Sequence, residues 1–118
     1  MHQTHDHSVP QMLVDAGKIS PAEIRGHEDQ NRLIRAMGQE GDIHPTIFPA
    51  LFPLQAGDAV LLCSDGVWTH VLESEMELDL SEVSSASEWL GKIECRILAR
   101  AEGPYDNYTA AAVLFQGA

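Results

Sequence analysis

The chain predicts an α+β fold on three observations. Two apolar runs, Ala59-Val60-Leu61-Leu62-Cys63 and Thr109 to Phe115, each adjoin a short acidic turn, Ser64-Asp65-Gly66 after the first and Asp106-Asn107 before the second, and read as strands. From Ser85 to Ala101, the residues Trp89, Leu90, Ile93, Ile97 and Leu98 recur at helical spacing and form one apolar stripe. Near the start, Ser8 with Gln11, and Ser20 with Pro21 and Glu23, have the pattern of capped helix N-termini, in which a hydroxyl accepts the N3 amide and an acid or amide side chain reaches back.

Taken in order, these signals predict a helix over Val9 to Ala16 closed by Gly17, and another from Pro21 to about Gln30. Leu33 and Ile34 alternate imperfectly with Arg32 and Arg35, which predicts a strand over Asn31 to Met37. Pro45, Pro49 and Pro53 punctuate a stretch in which Ile47, Phe48, Leu51 and Phe52 form a short edge strand, the place where a residue without an N–H is tolerated. Ala56-Gly57-Asp58 turns into the central strand Ala59 to Cys63. Val67 to Leu72 reads as one or two helical turns, with Trp68 as a core anchor, and Glu73 to Leu80 as an acidic surface segment. Gly103-Pro104 ends the long helix, and Tyr108 to Phe115 is the last strand.

A chain of 118 residues with 44% hydrophobic content is one domain or part of one. Its longest apolar runs are too short to cross a bilayer, and the N-terminus lacks the pattern of a signal peptide, so a cytoplasmic protein is expected. Eighteen acidic against 7 basic residues give a formal charge of -11, and the arginines are dispersed. Such a surface repels phosphate backbones and anionic lipids, so neither nucleic acid nor membrane is an expected partner. Cys63 and Cys95 lack a Cys-x-x-Cys partner and read as reduced structural thiols.

The acidic turns carry the chemistry. A carboxylate that shares a divalent cation must be held by packed backbone, which a flanking strand provides, whereas the same residues also make ordinary turns. Asp42 and the cluster Glu73, Glu75, Glu77 and Asp79 lack the spacing of a calcium loop and read as a solvated face. His2, His5 and His7 alternate, so imidazoles on one face could capture a metal; a frayed terminus is the plainer reading. His27 and His70 read as surface or packing residues.

Five blocks carry a resemblance: Thr4-His5-Asp6-His7-Ser8; Leu13 to Glu23; His27 with Asn31 to Gly38; Gly57 to Trp68; and Gly103 to Thr109. Together and in this order they resemble the metal-dependent protein phosphatases of the protein phosphatase 2C type, in bacterial style. The resemblance implies an α-β-β-α sandwich, two antiparallel sheets flanked by helices, of which residues 1–118 form the C-terminal portion of a single domain. It implies hydrolysis of phosphoserine and phosphothreonine in protein substrates by metal-activated water, with Mg²⁺ or Mn²⁺ as two catalytic ions and a third accessory ion. Asp65 and Asp106 match ligands of the catalytic pair, Asp6 matches a ligand of the third ion, and Gly66 and Asn107 shape the supporting turns. No further catalytic residue is implied here.

The family's N-terminal metal-binding half, with its phosphate-binding arginine and bridging aspartate, has no counterpart in the chain. A fragment inactive alone is the leading expectation. The alternative is a non-catalytic truncated module acting by partner binding or self-association. Half of each sheet would leave exposed edges, which predicts a homo-oligomer or intertwined dimer.

Overall fold

The computed structural model describes residues 1–48, 50–103 and 106–117. They form two compact units, His2–Leu51 and Phe52–Ala118, with Met1 counted in the second. The roles expected of Pro49, Pro104 and Tyr105 lie outside the described residues.

In the first unit, helix α1 spans Val9–Asp15, and the buried Ser8 caps it by accepting the Gln11 N–H at 3.4 Å. Gly17 takes φ 65 just past its end, a left-handed conformation that suits glycine, while the Lys18 N–H reaches back to the Leu13 carbonyl at 2.8 Å. The second start also behaves as expected: the Ser20 N–H donates to Glu23 Oε2 at 2.7 Å. It opens a 3₁₀ helix over Pro21–Gly26, shorter than the segment to Gln30 that the sequence suggested. His27 turns the chain extended, at ψ 137, and its Nδ1 accepts the Asp29 N–H at 3.0 Å, diverting an amide that a continuing helix would use.

The strand expected over Asn31 to Met37 does not form. A single antiparallel bridge joins Ser8 and Leu33, flanked by the Val9 N–H on the Arg32 carbonyl and the Ile34 N–H on the His7 carbonyl, both at 2.8 Å. Arg32 to Met37 lies exposed, so the period-two pattern has no buried face to define a longer pairing. The edge strand expected around Ile47, Phe48, Leu51 and Phe52 is absent too. Those residues are irregular and exposed, in a segment whose prolines withhold donors from any ladder.

The second unit contains an antiparallel ribbon. Strand β1, Ala59–Cys63, pairs with β2, Ala110–Leu114, in a register running from Ala59 opposite Leu114 to Cys63 opposite Ala110. Gly57 at φ 92 makes the entry turn, and Asp58 Oδ2 accepts the Gln55 N–H at 2.7 Å, the turn-forming role expected of it. The ribbon is not buried on both faces, as an unbroken apolar run suggested. Ala59, Leu61, Ala110, Ala112 and Leu114 pack on the core, whereas Val60, Leu62 and Val113 face outward, Leu62 at 69% exposure. Cys63 is likewise exposed.

Helices α2, over Asp65–Trp68, and α4, over Ala86–Arg100, pack on the ribbon, and α3, over Glu73–Ser81, packs on α4. Ser85 caps α4 by accepting the Glu88 N–H at 3.2 Å. Its stripe buries Trp89, Ile93 and Ile97 against Val67, Val71 and Met76, with Trp68 at the margin; Leu98 at 54% exposure falls outside it. Removing an isoleucine side chain from water contributes about 2 kcal/mol, so Ile93 and Ile97 anchor the unit. Trp89 Nε1 donates to the Met76 carbonyl at 2.9 Å, which satisfies its only polar atom.

Helix α3 corrects the reading of Glu73 to Leu80 as a solvated surface segment. Met76 and Asp79 are buried, and Asp79 is 2% exposed. The helix exists because Glu75 accepts the Leu72 N–H at 3.0 Å at its start and because arginines from α4 neutralise its inner acids. No described helix is long and apolar enough to cross a membrane.

Candidate functional site

Strand pairing brings the two acidic turns together. β1 ends at Cys63 and β2 begins at Ala110, its register partner, so Ser64 to Gly66 and Asp106 to Thr109 leave the same end of the ribbon. The Ser64 N–H donates to the Thr109 carbonyl at 2.9 Å, and the Thr109 N–H donates to Ser64 Oγ at 3.0 Å. Beyond this clamp the backbones close on each other at Gly66. A Cβ there would collide with the Asn107 carbonyl oxygen, and would lie 3.1 Å from its carbon and 3.3 Å from Tyr108 Cα.

Each turn holds its aspartate in the same local way. Asp65 Oδ1 accepts the Gly66 N–H at 2.9 Å, and Asp106 Oδ1 accepts the Asn107 N–H at 2.8 Å. Asp65 is half-buried and Asp106 exposed. A carboxylate has about four lone-pair directions, so one such bond orients each group without exhausting it. Oxygen donors of this kind suit a hard cation; Mg²⁺ in particular is commonly held by one or two carboxylates with water completing its shell. The donor chemistry therefore fits Mg²⁺ or Mn²⁺. The donor number is small: among the described residues no group of three or more His, Cys, Asp or Glu side chains is placed to hold a metal.

One supporting residue escaped sequence reasoning. His70 Nδ1, just past the end of α2, donates to the Gly66 carbonyl at 3.1 Å, so this neighbour fixes its tautomer. The His70 carbonyl in turn accepts Arg100 Nη1 at 2.7 Å. Spacing of four residues from Gly66 was the available signal, but it speaks only if α2 is already known to be helical.

Behind the turns lies an ion network between α3 and α4. Arg96 grips Asp79 with Nε at 2.7 Å and Nη2 at 2.8 Å, and reaches Glu75 with Nη1 at 3.2 Å. Arg100 binds both oxygens of Glu75. Chiefly through the Arg100 hydrogen bonds, and next through the Leu72 N–H, the Glu75 carboxyl is lowered to about 2. Asp79 and Glu75 thus brace α3 against α4 instead of facing solvent.

The other candidates resolve separately. Asp6 is exposed in the first unit, with its carbonyl accepting His5 Nδ1 at 3.0 Å. His5 Nε2 meets Asp15 Oδ1 at 3.2 Å, whereas His7 Nε2 meets Thr46 Oγ1 at 2.7 Å, so the two imidazoles serve different partners. Asp42 is exposed. Cys63 and Cys95 are free and exposed.

No protein-family model matches the chain. Individual proteins do. It is 38% identical over 111 residues to the serine/threonine phosphatase stp of Listeria monocytogenes, covering 93% of this chain and 42% of that protein. It is 33% identical over 115 residues to the protein phosphatase PhpP of Streptococcus pneumoniae, covering 95% and 44%. Among solved structures, the Mycobacterium tuberculosis serine/threonine phosphatase PstP/Ppp superposes with a TM-score of 0.76 at 29% identity, over 98% of this chain and 47% of that one. The S. agalactiae serine/threonine phosphatase gives a TM-score of 0.81 at 20% identity, over 98% and 46%. The chain thus spans less than half the length of these relatives.

Proposed function

We propose, on the premise that this chain belongs to the metal-dependent protein phosphatases of the 2C type, that it supplies the Asp65 and Asp106 ligands of a site hydrolysing phosphoserine and phosphothreonine in proteins. The observation that carries this reading is the apposition of two aspartate turns at Gly66 and Asn107. Mg²⁺ or Mn²⁺, when bound, would neutralise the phosphomonoester dianion and lower the pKa of an attacking water. In this reading Asp65 and Asp106 present oxygens, their partner amides orient them, and Gly66 lets the two backbones approach. Asp6 would serve an accessory third ion, on the matching of motifs alone.

The chain would be the C-terminal portion of one phosphatase domain on the order of its motifs, and relatives more than twice as long as the region matched support its being a portion. Activity then belongs to the complete domain. Two carboxylates would hold a hydrated cation only weakly, and the isolated chain would not turn over. A segment exchange tests this: the chain, put in place of the matched 111 residues of the Listeria monocytogenes relative, should release phosphate from a phosphothreonine peptide with Mn²⁺. Asp65→Asn should reduce that rate by at least about a hundredfold if a metal ligand is lost. A folded chimera with no activity, or one indifferent to Asp65→Asn, would refute the assignment.

Self-association of the isolated chain is supported by the outward face of the ribbon, where Val60, Leu62 and Val113 are exposed together. Light scattering at micromolar concentration should report a dimer or larger species, and Leu62→Lys should shift it toward monomer. A monomeric parent chain sinks the oligomer.

A further inference from the structure

The turn that follows α2 reaches back to the acidic turn at its start. His70 Nδ1 lies 3.1 Å from the Gly66 carbonyl, and because a carbonyl can only accept, the ring nitrogen must carry the proton. The bond closes on the residue that follows Asp65 and that touches Asn107. The backbone of His70 is fixed in turn: Arg100 Nη1 donates to its carbonyl at 2.7 Å, and Arg100 is locked onto Glu75 of α3. A continuous path therefore runs from the α3–α4 ion network through the His70 ring to the turn between the two aspartates.

We propose that His70 is a positioning residue for the Asp65 carboxylate, acting through the Gly66 carbonyl and resting on the assignment of Asp65 as a metal ligand. A helix of four residues cannot hold its own start rigidly. The Gly66 N–H, in the peptide that joins Asp65 to Gly66, is held by Asp65 Oδ1, and the Gly66 carbonyl, in the following peptide, is held by the imidazole. With the ring in place the peptide on the far side of the Gly66 Cα is anchored, which limits the backbone rotation at Gly66 that would swing its N–H away from the carboxylate. Supporting groups of this kind commonly change metal affinity by about 10–100-fold when removed. His70 touches neither ion nor substrate in this role.

The role makes a specific demand on side-chain chemistry. An asparagine amide places its Nδ2–H where the imidazole Nδ1–H lies, whereas glutamine places its amide where Nε2 lies. In the isolated chain, Mn²⁺ affinity read by electron paramagnetic resonance of the free ion should fall about tenfold in His70→Ala and His70→Gln, and stay within about threefold of the parent in His70→Asn. Thermal midpoints should be similar in His70→Asn and His70→Gln, which separates positioning from packing. Equal affinity in all three variants overturns the proposal, as does equal loss.

A second measurement stands apart from the metal. Nitrogen-15 spectra of His70 at pH 8 should show the Nδ1–H tautomer; an Nε2–H tautomer overturns the positioning role whatever the ion does. Asp65→Asn serves as the reference. If it leaves Mn²⁺ affinity untouched, the ligand assignment fails and takes the metal half of this proposal with it, while the tautomer still decides whether His70 holds the turn.

Discussion

Gly66→Ala is expected to lower stability by about 2–3 kcal/mol and to weaken Mn²⁺ binding by tenfold or more. The cost is steric and not conformational. Gly66 does not share the positive φ of Gly17 or Gly57, so its backbone would suit any residue, but an added Cβ would overlap the Asn107 carbonyl oxygen. Neither side can yield cheaply. The Ser64–Thr109 hydrogen bonds hold the strands together one step away, and Val67 and Val71 pack the helix side without exposure. The strain would relax by parting the turns, which separates the two aspartates whose proximity the metal reading needs. Urea unfolding and an Mn²⁺ titration of the same variant measure both effects. Gly91→Ala is the control: it lies exposed within α4, nothing comes within 4 Å of its added Cβ, and alanine there should be neutral or stabilising by up to about 1 kcal/mol. A Gly66→Ala protein as stable as Gly91→Ala would show that the approach of the turns is not tight.

What could be read from the sequence was whatever local pattern decides. The α4 stripe at Trp89, Ile93 and Ile97, the helix starts at Ser8 and Ser20, and the two apolar strands with their turns were all legible, because periodicity and capping act within a few residues. The strands foreseen at Asn31 to Met37 and around Ile47 to Phe52 were not made, since alternation proposes a strand but only a partner and a buried face sustain one. Asp65 and Asp106 stood out as carboxylates at strand ends. That their turns should meet was implied only by the resemblance, since the residues alone do not give the register that sets Cys63 opposite Ala110. His70 was missed for the same reason, its role being defined by what folds around it.

The acids of α3 show the gap most sharply, and they carry the second large expected effect. Four acids within seven residues looked like a solvated face, yet the residues that reverse that reading lie 17 to 25 positions away on α4. Asp79 is 2% exposed and pairs bidentately with Arg96. Asp79→Ala would strand that guanidinium against the core with only Glu75 as partner, and should cost about 3 kcal/mol, the low end for a broken buried pair because Arg96 keeps some solvent contact. Asp79→Ala with Arg96→Leu should recover part of the loss, since an apolar pair leaves no buried charge unpaired. Glu75 adds a pH signature of definite sign. Its carboxyl is lowered from 4.5 to about 2, so the folded chain binds that proton less readily than the unfolded one. Its contribution is therefore complete above about pH 5.5, one unit beyond the unfolded value, and fades as pH falls toward the folded value of about 2. In urea titrations, Glu75→Gln should be less stable than the parent at pH 7 and approach it by pH 3. A gap that stays constant across that range would mean that Arg100 and Arg96 gain nothing from the charge of Glu75, and that α3 is held by packing alone.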